Sequence, residues 1–343
     1  MSKRHPNNEK GIALLVVLLI VAIIMVIAVE MSSRLQLNVA RTLNLKANNQ
    51  AYWYALGAEQ FAKNSLATIL TLTGDNINLS QPWAEEFAFP VEGGSIKAKL
   101  IDMQACFNLN AVNSTINTEE EEGEEEKKKA EKENKDGNSA AQQAFHRLLE
   151  NFIQDSLVTD TIRDSLVDWI DEDSNPTNYG AEDAEYESLP NPYLAANNPL
   201  GHSSEIRLLN GVDQALQLGI LKDLQKVICV LPETRLKVNV NTITQENAVV
   251  LSALLGDTLD TGVNIIDSRP EEGFKNKEDF FALSEVQALD LSAEQKQWFE
   301  VTTKYFKLNT TAKFQTSQFK LSTIFRLDDG GITIISREFG GAF

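Results

Sequence analysis

The chain has 343 residues, with 31 Lys and Arg against 49 Asp and Glu, a formal charge of −18, and 43% of its residues are apolar. That apolar share is too high for a wholly disordered chain, and the acidic balance argues against a general nucleic-acid coat, which needs a basic face. Two cysteines and three histidines (His5, His146, His202) argue against a dense disulfide scaffold, a four-cysteine zinc site and a multi-histidine centre.

Ile12 to Val29 is eighteen apolar residues without a break, bounded by Lys10-Gly11 and Glu30. A run of this length reads as a membrane-spanning helix. Lys3, Arg4 and Lys10 precede it, which places the N-terminus in the cytoplasm and everything after Glu30 beyond the membrane. The alternative is a cleaved secretory signal, but Ala28-Val29-Glu30 is a poor small-residue cleavage box and signal cores are shorter. The helical pattern also runs on, with Tyr54, Ala58, Phe61, Ala62, Leu66, Ile69 and Leu70 three and four apart. From Ile12 to about Leu70 there is no proline and a single glycine, Gly57. At 1.5 Å per residue the helix would reach roughly 85 Å.

After it, Gly74 to Pro90 reads as a polar loop, and residues 95–102 (SIKAKLID) alternate as a half-buried strand should. Residues 119–137 hold ten acidic and five basic groups and little to bury, so 119–138 is expected to be a solvated, mobile loop. The pattern is helical from Ala144 to Ile170, with shorter helical pieces at Leu208–Leu231, Gln245–Leu255 and Ser284–Leu289. Strands are expected at Ala312–Phe319, Lys320–Leu327 and Ile332–Phe339, the last two joined by an Asp328-Asp329-Gly330-Gly331 turn. The predicted architecture is a long helix, a sheet with early and late strands, and a largely helical insertion between them.

Residues 160–187 carry ten acidic groups and one Arg. Asp171, Asp173, Asn175 and Glu182 match positions 1, 3, 5 and 12 of an EF-hand loop. Position 6, which needs glycine, is Pro176, and the segment after Glu182 is a poor helix, so an EF-hand is rejected. An irregular oxygen-rich loop still suits a hard cation, and calcium tolerates such geometry better than magnesium. Cys106 and Cys229 each precede a similar segment, FNLN and VNVN. An oxidising compartment favours their pairing, although sequence does not supply the Cα separation.

Residues 238–257 resemble helix-hairpin-helix units of DNA-binding proteins. No basic residue occurs from Gln245 to Ile266, however, so the segment reads as a structural helix pair with no nucleic-acid role. The sequence has no G-x-S-x-G, H-E-x-x-H, P-loop or G-x-G-x-x-G motif, and no enzyme is expected. Composition alone leaves a glycosidase-like carboxylate pair open, but a cation explains the crowded carboxylates better.

A charged leader, Lys10-Gly11, then Ile12-Ala13-Leu14-Leu15 and an apolar helix that continues amphipathically resembles type IV pilins and pseudopilins. Most members carry Glu at the fifth position after the cleaved glycine; here it is Val16. The buried Glu is thought to neutralise a neighbour's N-terminal amine in the packed fibre, so a subunit without it suits the fibre's end. Lacking it is a mark of K-type minor pseudopilins of type II secretion systems. The segments QAYWYALGAEQFA (50–62), CFNLNAVN (106–113), LVDWIDEDSNPTNYGAEDAEY (166–186), NPYLAANNPL (191–200) and LPETRLKVNVNT (231–242) resemble that family in order.

The resemblance implies an α+β, type IV pilin-like fold with a large, mostly helical inserted domain. Its parts would be a leader (1–11), a transmembrane part (12–30), a pilin domain (31–104 and 301–343) and the insertion (105–300). It implies cleavage by a prepilin peptidase between Gly11 and Ile12, N-methylation of Ile12, and a single pass through the inner membrane of a Gram-negative bacterium with the soluble part in the periplasm. Implied partners are the I and J minor pseudopilins, with H, the major pseudopilin, the secretion platform and secreted substrates. Calcium in the insertion is implied as well, on Asp171, Asp173, Glu182 and Asp183; the spacing adds Asn175, and Asp168 and Glu185 are weaker candidates. The implied function is a fibre-tip subunit that helps initiate assembly and protein export. The alternative is a minor tip pilin of a type IV pilus or DNA-uptake fibre.

Overall fold

The computed structural model describes residues 10–74, 76–114, 138–213, 219–328 and 331–340. Most of the leader and nearly all of the charged 119–138 segment lie outside the described residues. The first element is α1 (Lys10–Thr73), 64 residues without a break and so about 96 Å long. From Ile12 to Lys46 every side chain is exposed. Beyond that point Ala47, Ala51, Ala55, Ala58, Ala62 and Leu66 form a buried stripe at three- and four-residue spacing. Alanines let the helix axis lie close to the sheet beneath it.

The strands in chain order are β1 (Phe87–Val91), β2 (Gly94–Asp102), β3 (Phe107–Asn108), β4 (Ile228–Cys229), β5 (Val238–Asn239), β6 (Phe299–Glu300), β7 (Tyr305–Phe314), β8 (Ser317–Asp328) and β9 (Gly331–Phe339). Five of them form one antiparallel sheet in the order β1-β2-β7-β8-β9. Leu100, Phe306, Leu308 and Phe325 on its inner face pack with Ala62 and Leu66 of α1. Gly94 is needed in the β1–β2 turn, because a Cβ there would fall 1.9 Å from the Lys313 carbonyl oxygen.

Glu59 is the charged exception in the α1 interface, buried to 4% exposure. Arg337 of β9 donates two hydrogen bonds of 2.8 Å to it and Thr323 of β8 a third of 2.7 Å. Burial works against its charge, but these donors hold the carboxyl below its ordinary value. Glu59→Ala strips β8 and β9 of that anchor and is expected to cost about 1–3 kcal/mol in urea unfolding. An unchanged midpoint would show that the alanine stripe alone fixes the helix.

The chain leaves the sheet after Asp102 and returns at Tyr305, beside it: Asp102 pairs with Phe306, and Met103 N donates to Tyr305 O. Between them lies a second hydrophobic core that runs from Ala105 to Phe299. It holds α2 (Ala140–Glu150), α3 (Ser156–Ile170), α4 (Asp183–Glu187), α5 (Leu221–Val227), α6 (Ala248–Leu255), α7 (Leu259–Ser268), α8 (Lys277–Phe281), α9 (Ser284–Gln287) and α10 (Ala293–Trp298). β3 pairs with β4 and β5 with β6, both parallel. Buried Asp102 is the hinge of this branch, accepting hydrogen bonds from Gln104 N, Asn239 Nδ2 and Thr242 Oγ1. Its burial pushes its pKa up against those donors.

The structure corrects several sequence expectations. Residues 87–91 of the expected loop form β1. The helical stretch Ala144–Ile170 is two helices, separated where Asp155 caps α3 by accepting from Leu157 N. Within Leu208–Leu231 the described residues are helical at 212–213 and over α5, and the stretch then runs into β4. The strand expected at Ala312–Phe319 straddles a reversal: β7 ends at Phe314, Gln315 takes φ 51° and donates to Gly93 O, and β8 begins at Ser317. Asp328 pairs with Gly331 across the last turn, whose two central residues lie outside the described set. The helix pair near residue 250 is structural in its packing, since all of α6 is buried.

Candidate functional site

The acidic cluster forms where a loop folds back onto the end of α3. Asp164 and Asp168, one helical turn apart, face that loop. Tyr179 N donates to Asp164 Oδ2 at 3.1 Å, and Thr177 N donates to Asp168 at 3.1 and 3.2 Å from its two oxygens. Gly180 passes so near that a Cβ on it would fall 1.8 Å from Asp168 Oδ2. These tethers bring Glu182, at the start of α4, back to Asp171 at the end of α3.

Asp171, Asp173 and Glu182 each offer a carboxylate oxygen, and the three oxygens lie within 4.8 Å of one another. Glu182 is 3% exposed. Both of its carboxylate oxygens and Asp171 Oδ1 are buried without a hydrogen-bond partner. Unpartnered buried carboxylate oxygens are costly, and a cation is the partner that satisfies several at once. Burial first, then the charges of Asp168, Asp171 and Asp183, push the Glu182 carboxyl up to about 7. Burial also pushes Asp168 up to about 6, against the Thr177 N–H and with Asp171 and Asp164 adding to it. Asp171 is raised by burial and by Asp173. An all-oxygen donor set of this kind fits calcium or magnesium, not a soft metal.

The other sequence candidates lie close by but have protein partners. Asn175 donates from N and Nδ2 to Asp173 Oδ1, both at 2.8 Å. Asp183 accepts from Ala195 N at 3.0 Å, and Glu185 accepts from Glu182 N at 3.1 Å, so they hold the loops around the cluster. Sequence reasoning missed Asn197, which sits at φ 45° and donates from Nδ2 to the Asp173 carbonyl at 2.9 Å. Its Oδ1 is buried and unpartnered. The signal available was an Asn, a residue tolerant of the left-handed region, within the NPYLAANNPL segment. Gly180→Ala is expected to displace Asp168 and the loop, lowering stability by about 1–2 kcal/mol in thermal melting. A melt identical to the parent would show the loop tolerates that volume.

Gly11, Ile12 and Val16 all lie in the first turns of α1. Ile12 and Val16 are exposed, at 65% and 48%. The helix has a window of mean hydropathy 3.7, none of it buried against the rest of the chain, which makes it long and apolar enough to cross a membrane. Cys106 and Cys229 are joined by a disulfide, with their Cα atoms 5.9 Å apart.

Two family models match, both described as type II secretion system (T2SS), protein K, over residues 105–233 and 238–302. Type II secretion system protein K of Aeromonas hydrophila is 34% identical over 98% of each chain. Its namesake in Klebsiella pneumoniae is 32% identical over 97% of each. Among solved structures, the crystal structure of the GspK-GspI-GspJ complex from the enterotoxigenic Escherichia coli type 2 secretion system contains a similar chain. The TM-score is 0.74 at 28% identity, covering 88% of this chain and all of that one.

Proposed function

Because this chain belongs to the type II secretion system protein K family, we propose that it is a minor pseudopilin at the tip of a short periplasmic fibre. There it helps initiate fibre assembly and the export of folded proteins across the outer membrane. The observation that carries this reading is α1: one unbroken helix, apolar and bare over its first part, with an alanine stripe clamped on the sheet over its second. The bare part suits a membrane before assembly and a helix bundle afterwards. A signal sequence would have no reason to continue into the packed core.

Two features favour the end of the fibre. Val16 stands where a carboxylate would neutralise the amine of the next subunit. The second core between Asp102 and Tyr305 makes a bulky head that would obstruct a following subunit. Cleavage after Gly11 and methylation of Ile12 by the prepilin peptidase belong to the same reading, as does a single pass through the inner membrane. So does a structural calcium on Asp171, Asp173 and Glu182, helped by neighbouring oxygens. The role is structural, not catalytic.

The partners proposed are the I and J minor pseudopilins, in line with the complex in which the similar Escherichia coli chain was solved. The test is affinity capture of the full chain from detergent-solubilised membranes that contain secretion and pilus subunits. Recovery of I and J pseudopilins is the expected result. Recovery of type IV pilus or DNA-uptake subunits in their place would overturn the reading in favour of a pilus tip.

A further inference from the structure

The outer face of the five-stranded sheet, turned away from α1, is basic. Period-two alternation brings Lys97 and Lys99 of β2, Lys307 and Lys313 of β7 and Lys320 of β8 to this side. The register groups them: Thr311 lies between Lys97 and Lys320, Asn309 is opposite Lys99, and Lys307 is opposite Ile101. No lysine is directly opposite another, so the register gathers the charges on one face without placing like charges in direct cross-strand pairs. In a chain of net charge −18 carboxylates are plentiful, yet few are placed here. Glu86 reaches Lys97 at 3.2 Å, and Glu338 faces His202 at 3.0 Å. Lys99, Lys307 and Lys313 form no ion pair among the described residues.

A cleft adjoins the same face. It has a volume of about 670 Å³ and is lined by Lys99, Ile101, Lys307 and Ile324 of the sheet and by Val230 beyond β4, with Glu246 and Glu338 also on its wall. Lys99 and Lys307 belong to both features, so the basic face runs into a partly apolar recess. Ile101 is 38% exposed there. The β9 bulge contributes to this junction. The register skips Ile335, which packs with Tyr305, Cys229 and Leu231 where the second core meets the sheet.

We propose that this face and cleft form a docking surface for an extended, carboxylate-rich segment of a partner protein, which seats one apolar side chain in the cleft. A long phosphate polymer fits poorly. The acidic remainder of the chain would repel it, and the face offers compact lysine charges with no exposed aromatic platform.

The test uses the full chain in detergent and a fluorescein-labelled peptide of alternating glutamate and serine with one central leucine, read by anisotropy at low salt. Binding is expected to weaken roughly tenfold or more in Lys97→Gln/Lys99→Gln/Lys313→Gln/Lys320→Gln, since four charge contacts, three of them from exposed lysines, are lost. It should hold in Lys222→Gln/Lys296→Gln, where the lysines lie elsewhere. It should also weaken in Ile101→Ser and when the peptide's leucine becomes serine. Circular dichroism would verify that each variant is folded. No binding, equal loss in both lysine variants, no loss in either, or equal binding by an oligothymidylate of the same charge would each overturn the proposal.

Discussion

With calcium on Asp171, Asp173 and Glu182, as proposed above, stripping the ion is expected to lower the melting temperature by about 10 °C. The figure follows from linkage: a ligand held at about a thousand times its dissociation constant adds about 4 kcal/mol, and each kcal/mol moves a domain of this size by about 2–4 °C. The expectation rests on the two unpartnered oxygens of Glu182 and on Asp171 Oδ1 beside them. Glu182→Gln with Asp171→Asn removes two of the three clustered charges and should abolish the calcium effect.

The pH dependence supplies a sign. Without the ion, Glu182 and Asp168 are raised to about 7 and about 6, above their ordinary values of 4.5 and 3.8. The folded state then binds protons more tightly than the unfolded one, so this stability is full at low pH and lost as pH rises through those values. The proposed calcium would bind the ionised form and offset that loss. Melting scans from about pH 5 to about pH 8 should fall in chelator and stay level or rise with calcium. Parallel curves with and without calcium would contradict the site.

Removing the Cys106–Cys229 bond is the second large effect expected. The two residues are 123 apart in sequence, and a crosslink across about 100 residues restricts the unfolded chain by about 4–5 kcal/mol on the chain-entropy account. The bond also has a local task. Cys229 packs with Leu231 and Tyr305, where the second core rests on the sheet, and Cys106 leads into β3, which pairs with β4. Cys106→Ala/Cys229→Ala should therefore unfold at clearly lower denaturant and expose the region around Val230 and Ile335 first in hydrogen exchange. A midpoint matching the parent under oxidising conditions would show that the two cores are held by packing alone.

The sequence foretold the elements whose periodicity is long or clean. α1 announced itself through its apolar run and the absence of proline, β2 through alternation, and β9 through the Asp328-Asp329-Gly330-Gly331 turn signal before it. β1 was hidden because FAFPV ends in Pro90-Val91, and proline reads as loop unless the strand is an edge, as this one is. The β7–β8 turn was misplaced because Gln315-Thr316 carries no Gly, Pro, Asn or Asp; a glutamine takes the left-handed conformation there, tied to Gly93.

At the candidate site the spacing found Asp171, Asp173 and Glu182. It could not tell them from Asp183 and Glu185, which each turn one oxygen to a backbone N–H, of Ala195 and Glu182, and lie outside the group of three whose oxygens are within 4.8 Å of one another. That distinction, and Asn197, depend on which loops meet, and loop meetings are tertiary. Glu59 was legible only as a polar interruption in a helix, since its partners Thr323 and Arg337 lie more than 260 residues away.

The most direct measurement is the mass and N-terminal sequence of the intact protein extracted from membranes. If α1 is kept as the anchor and later as part of the fibre's core, the chain should begin at Ile12 with one added methyl group. A chain beginning near Ser32 would mean that the apolar helix is discarded as a signal, and would contradict it.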